Sequence, residues 1–147
     1  MPEQRVSVER TIMASPAAIF DLLADPSKHG VIDGSGTVQG QRGAQTRLAL
    51  GARFGMNMKL AAPYHISDTV VEFEEPRLIA WAHFGKHRWR YELEAGDENT
   101  LVRETFDWST ASAPVARFIE LVRYPQRHLL NMDATLERLA QLVEPSA

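Results

Sequence analysis

An apolar stripe near the C-terminal end constrains this chain more than any other feature. Val115, Phe118, Val122, Pro125, Leu129, Met132, Leu136, Leu139 and Val143 recur at alternating steps of three and four, the spacing of one helix face. Arg117, Glu120, Arg127, Asn131, Glu137 and Gln141 fall off the stripe and are expected in solvent. A helix from Pro114 to Val143 would run roughly 45 Å. Within 147 residues, only a sheet built from the rest of the chain can cover it, and the space between the two is where function is expected. Pro125 lacks an amide, which predicts a bend or break after Tyr124. Val115–Val122 would then be a shorter, more mobile segment near the mouth of that space.

The upstream residues supply the sheet. Over Arg5–Met13, Val6, Val8, Arg10 and Ile12 alternate with Ser7, Glu9 and Thr11, which predicts a strand. Ser15-Pro16 and Asp25-Pro26 are helix starts, each with a side-chain cap and a proline in the first turn. Ile19, Phe20 and Leu23 form the apolar face of the first helix, and Gly30 is expected to end the second. Gly34, Gly36, Gly40 and Gly43 read as turns around a short strand at Thr37-Val38-Gln39. A phosphate loop would need a strand before it and a helix after it, and neither neighbour fits.

From Gln45 onward an antiparallel meander is expected. Phe54, Met56, Met58 and Leu60 alternate with Gly55, Asn57 and Lys59. Tyr64–Glu74 follows, its register ambiguous because Val70 and Val71 are adjacent. After a turn at Glu75-Pro76, Ile79, Trp81 and His83 share one face of Leu78–Phe84. Gly85-Lys86 turns the chain into Trp89, Tyr91 and Leu93, and Gly96–Asn99 makes a hairpin loop. Val102, Glu104, Phe106 and Trp108 then face one way. The opposite face, with Arg88, Arg90, Glu92, Glu94, Arg103, Thr105 and Asp107, reads as solvated, with charges paired across strands.

Composition narrows the function. Net charge is −3, with no basic run of the length a nucleic-acid footprint needs, so no nucleic-acid partner is expected. The chain contains no cysteine, which excludes disulfides, thiolate metal sites and cysteine nucleophiles. The polar Met1–Arg10 segment does not read as a signal peptide, and no apolar run approaches a membrane span. A single cytoplasmic domain, monomeric or homodimeric, is the expectation.

Several segments together carry a family resemblance. They are Ser15-Pro16-Ala17-Ala18-Ile19-Phe20 with Leu23 and Asp25-Pro26, Gly51-Ala52-Arg53-Phe54, Glu74-Glu75-Pro76-Arg77-Leu78-Ile79-Ala80-Trp81, Trp89-Arg90-Tyr91-Glu92-Leu93, and Thr100–Phe106 with the terminal helix. Across nearly its whole length the chain resembles the START-like or Bet v 1-like (SRPBCC) superfamily, in particular its bacterial polyketide cyclase/dehydrase-like proteins. The resemblance implies an α+β helix-grip fold: a curved antiparallel sheet of six or seven strands around the long C-terminal helix, with two short helices after the first strand. It also implies a pocket for a lipid, polyketide or other apolar molecule. The chain departs from many relatives in carrying Val31-Ile32-Asp33 where they place a tryptophan.

Phe54, Met56, Met58, Trp81, Trp89, Phe106, Trp108, Phe118, Val122, Leu129 and Met132 are the expected apolar ligand contacts, with methionines suited to an irregular guest. Glu104, His83 and Tyr91 are the polar anchors, and Tyr64 offers a second phenol. A carboxyl among apolar neighbours has its pKa raised and can serve as acid or base near neutrality. Glu104 with His83 or Tyr91 is therefore the candidate pair for an alternative, a cyclase/dehydrase-type enzyme. For Glu104 alone, pairing with an arginine or a place at the wet end of the pocket would equally account for it, and a lone inward histidine is commonly a satisfied core residue. His83 with His87, and His29 with Asp33, lack the spacing of a metal site. Neither metal nor cofactor is expected. Ser109, Thr110 and Ser112 lack a nucleophile turn and read as helix-capping residues.

Overall fold

The computed structural model describes residues 3–33, 47–59, 62–83 and 85–145, with 38–42 described by backbone alone. Leu60, Phe84, Thr37 and the glycines at 34, 36 and 43 lie outside the described residues. Seven strands form one antiparallel sheet: β1 (Arg5–Ile12), β2 (Val38–Arg42), β3 (Arg53–Lys59), β4 (Pro63–Glu74), β5 (Leu78–Ala82), β6 (Arg88–Ala95) and β7 (Thr100–Asp107). They lie in the order β1-β7-β6-β5-β4-β3-β2. From β2 to β7 each strand pairs with the next, and β1 returns to close on β7. Two short helices, α1 (Pro16–Leu23) and α2 (His29–Ile32), separate β1 from β2, and α3 (Ala113–Leu121) and α4 (Tyr124–Val143) end the fold.

Strand register puts one apolar layer on the inner face. Val102, Glu104 and Phe106 lie opposite Leu93, Tyr91 and Trp89. Tyr91 and Trp89 in turn face Ile79 and Trp81, and these face Phe73 and Val70. Between Val70 and Glu72 the β4–β5 register shifts, so the adjacent valines that obscured the pattern mark a β-bulge. Before the bulge Tyr64, Ile66 and Asp68 stand opposite Met58, Met56 and Phe54. After it, Phe73 packs edge-on against Phe20 of α1, with ring centroids 5.5 Å apart.

The outer face departs from the expected solvated surface. Thr105 and Asp107 are 3% and 4% exposed. Arg90 donates to Glu72 at 2.8 Å and to Asp107 at 3.2 Å, while Arg88 adds a 2.9 Å bond to Glu72. Ser7 and Thr105 share a 2.8 Å hydroxyl pair between β1 and β7. A polar network thus links β1, β4, β6 and β7 across this side of the sheet.

Ser15 and Asp25 cap as expected: Ser15 Oγ accepts from the Ala18 amide at 3.2 Å and Asp25 Oδ1 from the Ser27 amide at 3.0 Å. Gly30 lies inside α2 rather than after it, because the 3-10 turn at Pro26–Lys28 runs straight into His29. The terminal helix divides, but not after Tyr124. Val122 caps the end of α3, Arg123 takes a left-handed backbone with φ 56° and ψ 38°, and Pro125 lies in the first turn of α4. A proline there forfeits no hydrogen bond, since first-turn amides have no partner within a helix.

Beyond this joint α4 keeps the predicted phase, burying Pro125, Met132, Leu136 and Leu139, with Thr135 and Ala140 added. α4 packs on β1 and β7, and α1, α2 and α3 flank it. Helix α3 buries only Ala116 and Ile119, so its opening should expose little apolar surface. Amides of α3 should therefore exchange with deuterium at least ten-fold faster than those of Met132–Ala140, on the order of 1.4 kcal/mol less protection; equal protection would make the two helices one cooperative unit.

Candidate functional site

The curved inner face of β3–β7 and α4 stand apart enough to leave a cavity of about 380 Å³, with α2 also lining it. Phe54, Met56, Met58, Ile66, Trp81 and Met132 supply most of its apolar wall. His29 stacks on Trp81 with ring centroids 4.8 Å apart, and its Nε2 donates to the Leu23 carbonyl at 2.8 Å. Burial pushes the His29 pKa down, so this imidazole is neutral and serves as wall. The carbonyl of Asp33, just past α2, accepts from Arg138 at 2.6 Å, which ties α2 to α4.

One polar group is a relay. His83 Nδ1 is hydrogen bonded to the Asp68 carboxylate, and His83 Nε2 lies 2.8 Å from the indole nitrogen of Trp89. An indole N–H only donates and an ionised carboxylate only accepts. His83 is therefore the neutral tautomer with its proton on Nδ1, and both ring nitrogens are committed. Histidine in this state has no lone pair to act as a base on a ligand.

A second polar group lies deeper. Glu104 is 3% exposed and directly opposite Tyr91 across the β6–β7 ladder. The Tyr91 phenol and the Glu104 carboxyl are near enough for each to perturb the other's titration. Burial, with Asp33 nearby, raises the Glu104 pKa well above the usual carboxylate range, against the downward influence of Tyr91. Burial likewise raises the Tyr91 pKa, with the Glu104 charge adding to it. The pair is thus an undissociated acid beside an undissociated phenol, and Glu104 Oε1 has no hydrogen-bond partner among the described residues.

A third group gathers at the mouth. His128, on the first half of α4, lies 4.2 Å centroid to centroid from Tyr124 and 4.9 Å from Trp89. His87 lies 4.9 Å from His83. Burial lowers the pKa of both His87 and His128 to about 4. No group of three or more His, Cys, Asp or Glu among the described residues is placed to hold a metal ion.

Residues 3–144 match the sequence pattern of the family described as polyketide cyclase / dehydrase and lipid transport. The chain belongs to that family. It is 36% identical over 140 residues to the uncharacterized protein Rv0088 of Mycobacterium tuberculosis strain H37Rv, covering 92% of this chain and 62% of the relative. A second strain carries the uncharacterized protein MT0096, 35% identical over the same coverage. The chain thus spans less than two thirds of the length of these curated relatives. Among solved structures it is similar to protein CV1439 of Chromobacterium violaceum, with TM-score 0.73 and 13% identity over 97% of this chain and 99% of the other. The AHSA1-like protein of Aeromonas hydrophila aligns with TM-score 0.63 and 21% identity over 97% and 98%. These likenesses are of fold, and they agree with the helix-grip architecture.

Nine of the anticipated residues line the cavity of this family member: Phe54, Met56, Met58, Trp81, His83, Trp89, Tyr91, Glu104 and Met132. Five do not. Phe106 and Trp108 join Ala116 and Ile119 in a second core cluster under α3, because α3 covers the end of β7 that the cavity would otherwise reach. Phe118 is 63% exposed, since the joint at Arg123 turns α3 so that its inner face is Ala116 and Ile119. Val122 borders an outer groove beside Arg123, and Leu129 is half-buried but off the lining.

Asn131 and Arg127, expected in solvent, also line the cavity, as do His29, Ile32, Asp33, Asp68, His87, Tyr124, His128 and Thr135. Tyr124, His128, Asn131 and Thr135 follow helical spacing, so a stripe that admitted polar residues would have found them. Asp68 alternates with Ile66 and Tyr64, a signal masked by the bulge.

Proposed function

We propose that the chain binds a small, mostly apolar molecule in the cavity between the sheet and α4, and holds it without altering it. The observation that carries this reading is the cavity itself. Its volume of about 380 Å³ lies within the range of small-ligand sites, roughly 300–1,000 Å³, and aromatic rings and methionines wall it. The family description, which includes lipid transport, supports the same reading. A lipid, polyketide or aromatic compound fits those walls, and Glu104, Tyr91 and the mouth histidines would orient its polar atoms.

A second reading, a cyclase/dehydrase-type enzyme, draws on the undissociated Glu104 beside Tyr91, an acid placed where a bound hydroxyl would leave as water. The committed ring nitrogens of His83 weigh against an acid–base pair that includes it. Native mass spectrometry of freshly purified protein separates the readings. A carrier should show a co-purified apolar compound whose mass stays constant on incubation. Loss of one water from a retained hydroxy-ketone would establish the enzyme instead, and a protein that retains nothing and takes up no apolar compound would refute both.

A further inference from the structure

The joint between α3 and α4 leaves large apolar side chains in solvent. Phe118, Leu121 and Leu130 are 63%, 81% and 82% exposed. Helical spacing places Arg117, Phe118 and Leu121 on one face of α3, turned away from the buried Ala116 and Ile119. Across the joint, Arg123, Arg127 and Leu130 follow the same spacing along the start of α4. Leu121, Arg123 and Arg127 border one outer groove, so the two faces make a continuous surface. Arg127 also lines the cavity, as does Tyr124, and the surface therefore runs up to the cavity mouth.

Charge sets this surface apart from the rest of the chain. Residues 117–130 carry three arginines and one glutamate, in a chain whose net charge is −3. Elsewhere Arg47, Arg77, Arg88, Arg90 and Arg103 each meet a carboxylate. Arg117, Arg123 and Arg127 form no salt bridge among the described residues. Glu120 is engaged on its other side, where Oε1 accepts from Gln4 at 3.0 Å and from the Trp108 indole at 2.9 Å. The result is net positive charge interleaved with apolar side chains.

We infer that this surface docks on an anionic phospholipid bilayer, with α3 lying in the interface and the cavity mouth turned to the membrane. The inference extends the ligand-binding reading, since a bilayer can both supply and receive an apolar guest. Arginines attract anionic headgroups, while exposed leucine and phenylalanine side chains enter the acyl boundary. A second copy of the chain on this face would bring the same three arginines against themselves. The contact is peripheral: among the described residues no helix is long and apolar enough to cross a membrane.

Flotation at low salt with vesicles of phosphatidylcholine, alone or in equal mixture with phosphatidylglycerol, tests the surface. The wild type should float with the mixed vesicles and stay in solution with phosphatidylcholine alone. Arg117→Gln, Arg123→Gln and Arg127→Gln together should weaken binding about a hundred-fold, from the attraction each basic residue supplies near an anionic surface. Phe118→Ser with Leu121→Ser should weaken it about ten-fold or more. Urea midpoints matching the wild type report that these variants fold. Because the chain has no cysteine, an environment-sensitive dye on Leu121→Cys reports insertion and should shift to the blue on mixed vesicles. The same dye on Glu98→Cys, in the loop at the other end of β7, should not shift. A wild type that floats with neither vesicle overturns the proposal in favour of a protein partner. Flotation that survives loss of the arginines, or a blue shift at position 98 alone, overturns it as well. Vesicle binding by a protein that retains no guest supports the surface while the carrier reading fails; a retained guest without vesicle binding does the reverse.

Discussion

Acidification from pH 7 to pH 4.5 should remove several kcal/mol of stability, and replacing His87 and His128 together should remove most of that sensitivity. Both histidines titrate near 4 in the fold against an ordinary 6.5. Between those values the unfolded chain binds more protons than the folded one, so stability is full above about 6.5 and falls as pH drops towards 4. At about 1.4 kcal/mol per pKa unit, discounted for partial exposure, each contributes on the order of 2 kcal/mol. His29, whose pKa is also lowered by burial, acts in the same direction.

Glu104 acts in the opposite one. Its raised pKa means the folded state holds a proton that the unfolded state releases above about 4.5, so its penalty eases on acidification. Urea midpoints at pH 7 and 4.5 for the wild type and the His87→Gln, His128→Gln variant isolate the histidines, since the Glu104 share cancels in the comparison. Equal losses in both proteins would mean that the mouth histidines accept protons without cost, and that their surroundings are wetter than the packing shows.

Arg90→Ala should cost about 3 kcal/mol, a large change for a residue on the outer face. The guanidinium is 13% exposed and bridges Glu72 and Asp107, at 24% and 6%. It holds the carboxyls of both below their ordinary range, through its hydrogen bonds to Glu72 and, with those from Ser109, to Asp107. Removing the shared cation leaves two carboxylates, one of them deeply buried, without their partner, which is the expensive way to break such a network. Arg88 still holds Glu72, and Ser109 still bonds Asp107 at 2.6 Å, so the cost stays at the low end for buried pairs. Arg90→Lys should recover less than half, because an ammonium is a point charge and cannot reach both acids. Chemical denaturation with each variant settles the matter; a lysine variant as stable as the wild type would reduce the network to simple charge balance.

Much of the fold was legible in the residues because period-two and helical spacing are direct consequences of burial on one face. Phe54, Met56 and Met58, or Leu136 and Leu139, report their own orientation. What escaped was set by tertiary geometry. Whether the terminal helix breaks at Pro125 or two residues earlier depends on Arg123 accepting a left-handed backbone, which its chemistry does not announce. Phe106 and Trp108 look like pocket residues on the β7 pattern, and only the descent of α3 over that strand end gives them a different neighbour. His128 and Asn131 were hidden by polarity: the rule that polar helix residues face water fails where the helix borders a hollow that is itself partly polar. His83 was visible as an inward side chain, but its occupation by Asp68 and Trp89 depends on strands fifteen residues apart in sequence and adjacent in space.

The bulge at Val70–Glu72 gives one strand two independent offices. Without an extra residue, the alternation that aims Tyr64, Ile66 and Asp68 inward would carry on to Glu72 and send Phe73 outward. With it, the first half of β4 lines the cavity while the second half returns an aromatic ring to the packed end beneath α1. The chamber and the foundation are thereby uncoupled: side chains can be exchanged around the hollow without disturbing the Phe73–Phe20 contact that anchors the other end. Such a division would let the walls of the hollow vary at little risk to folding.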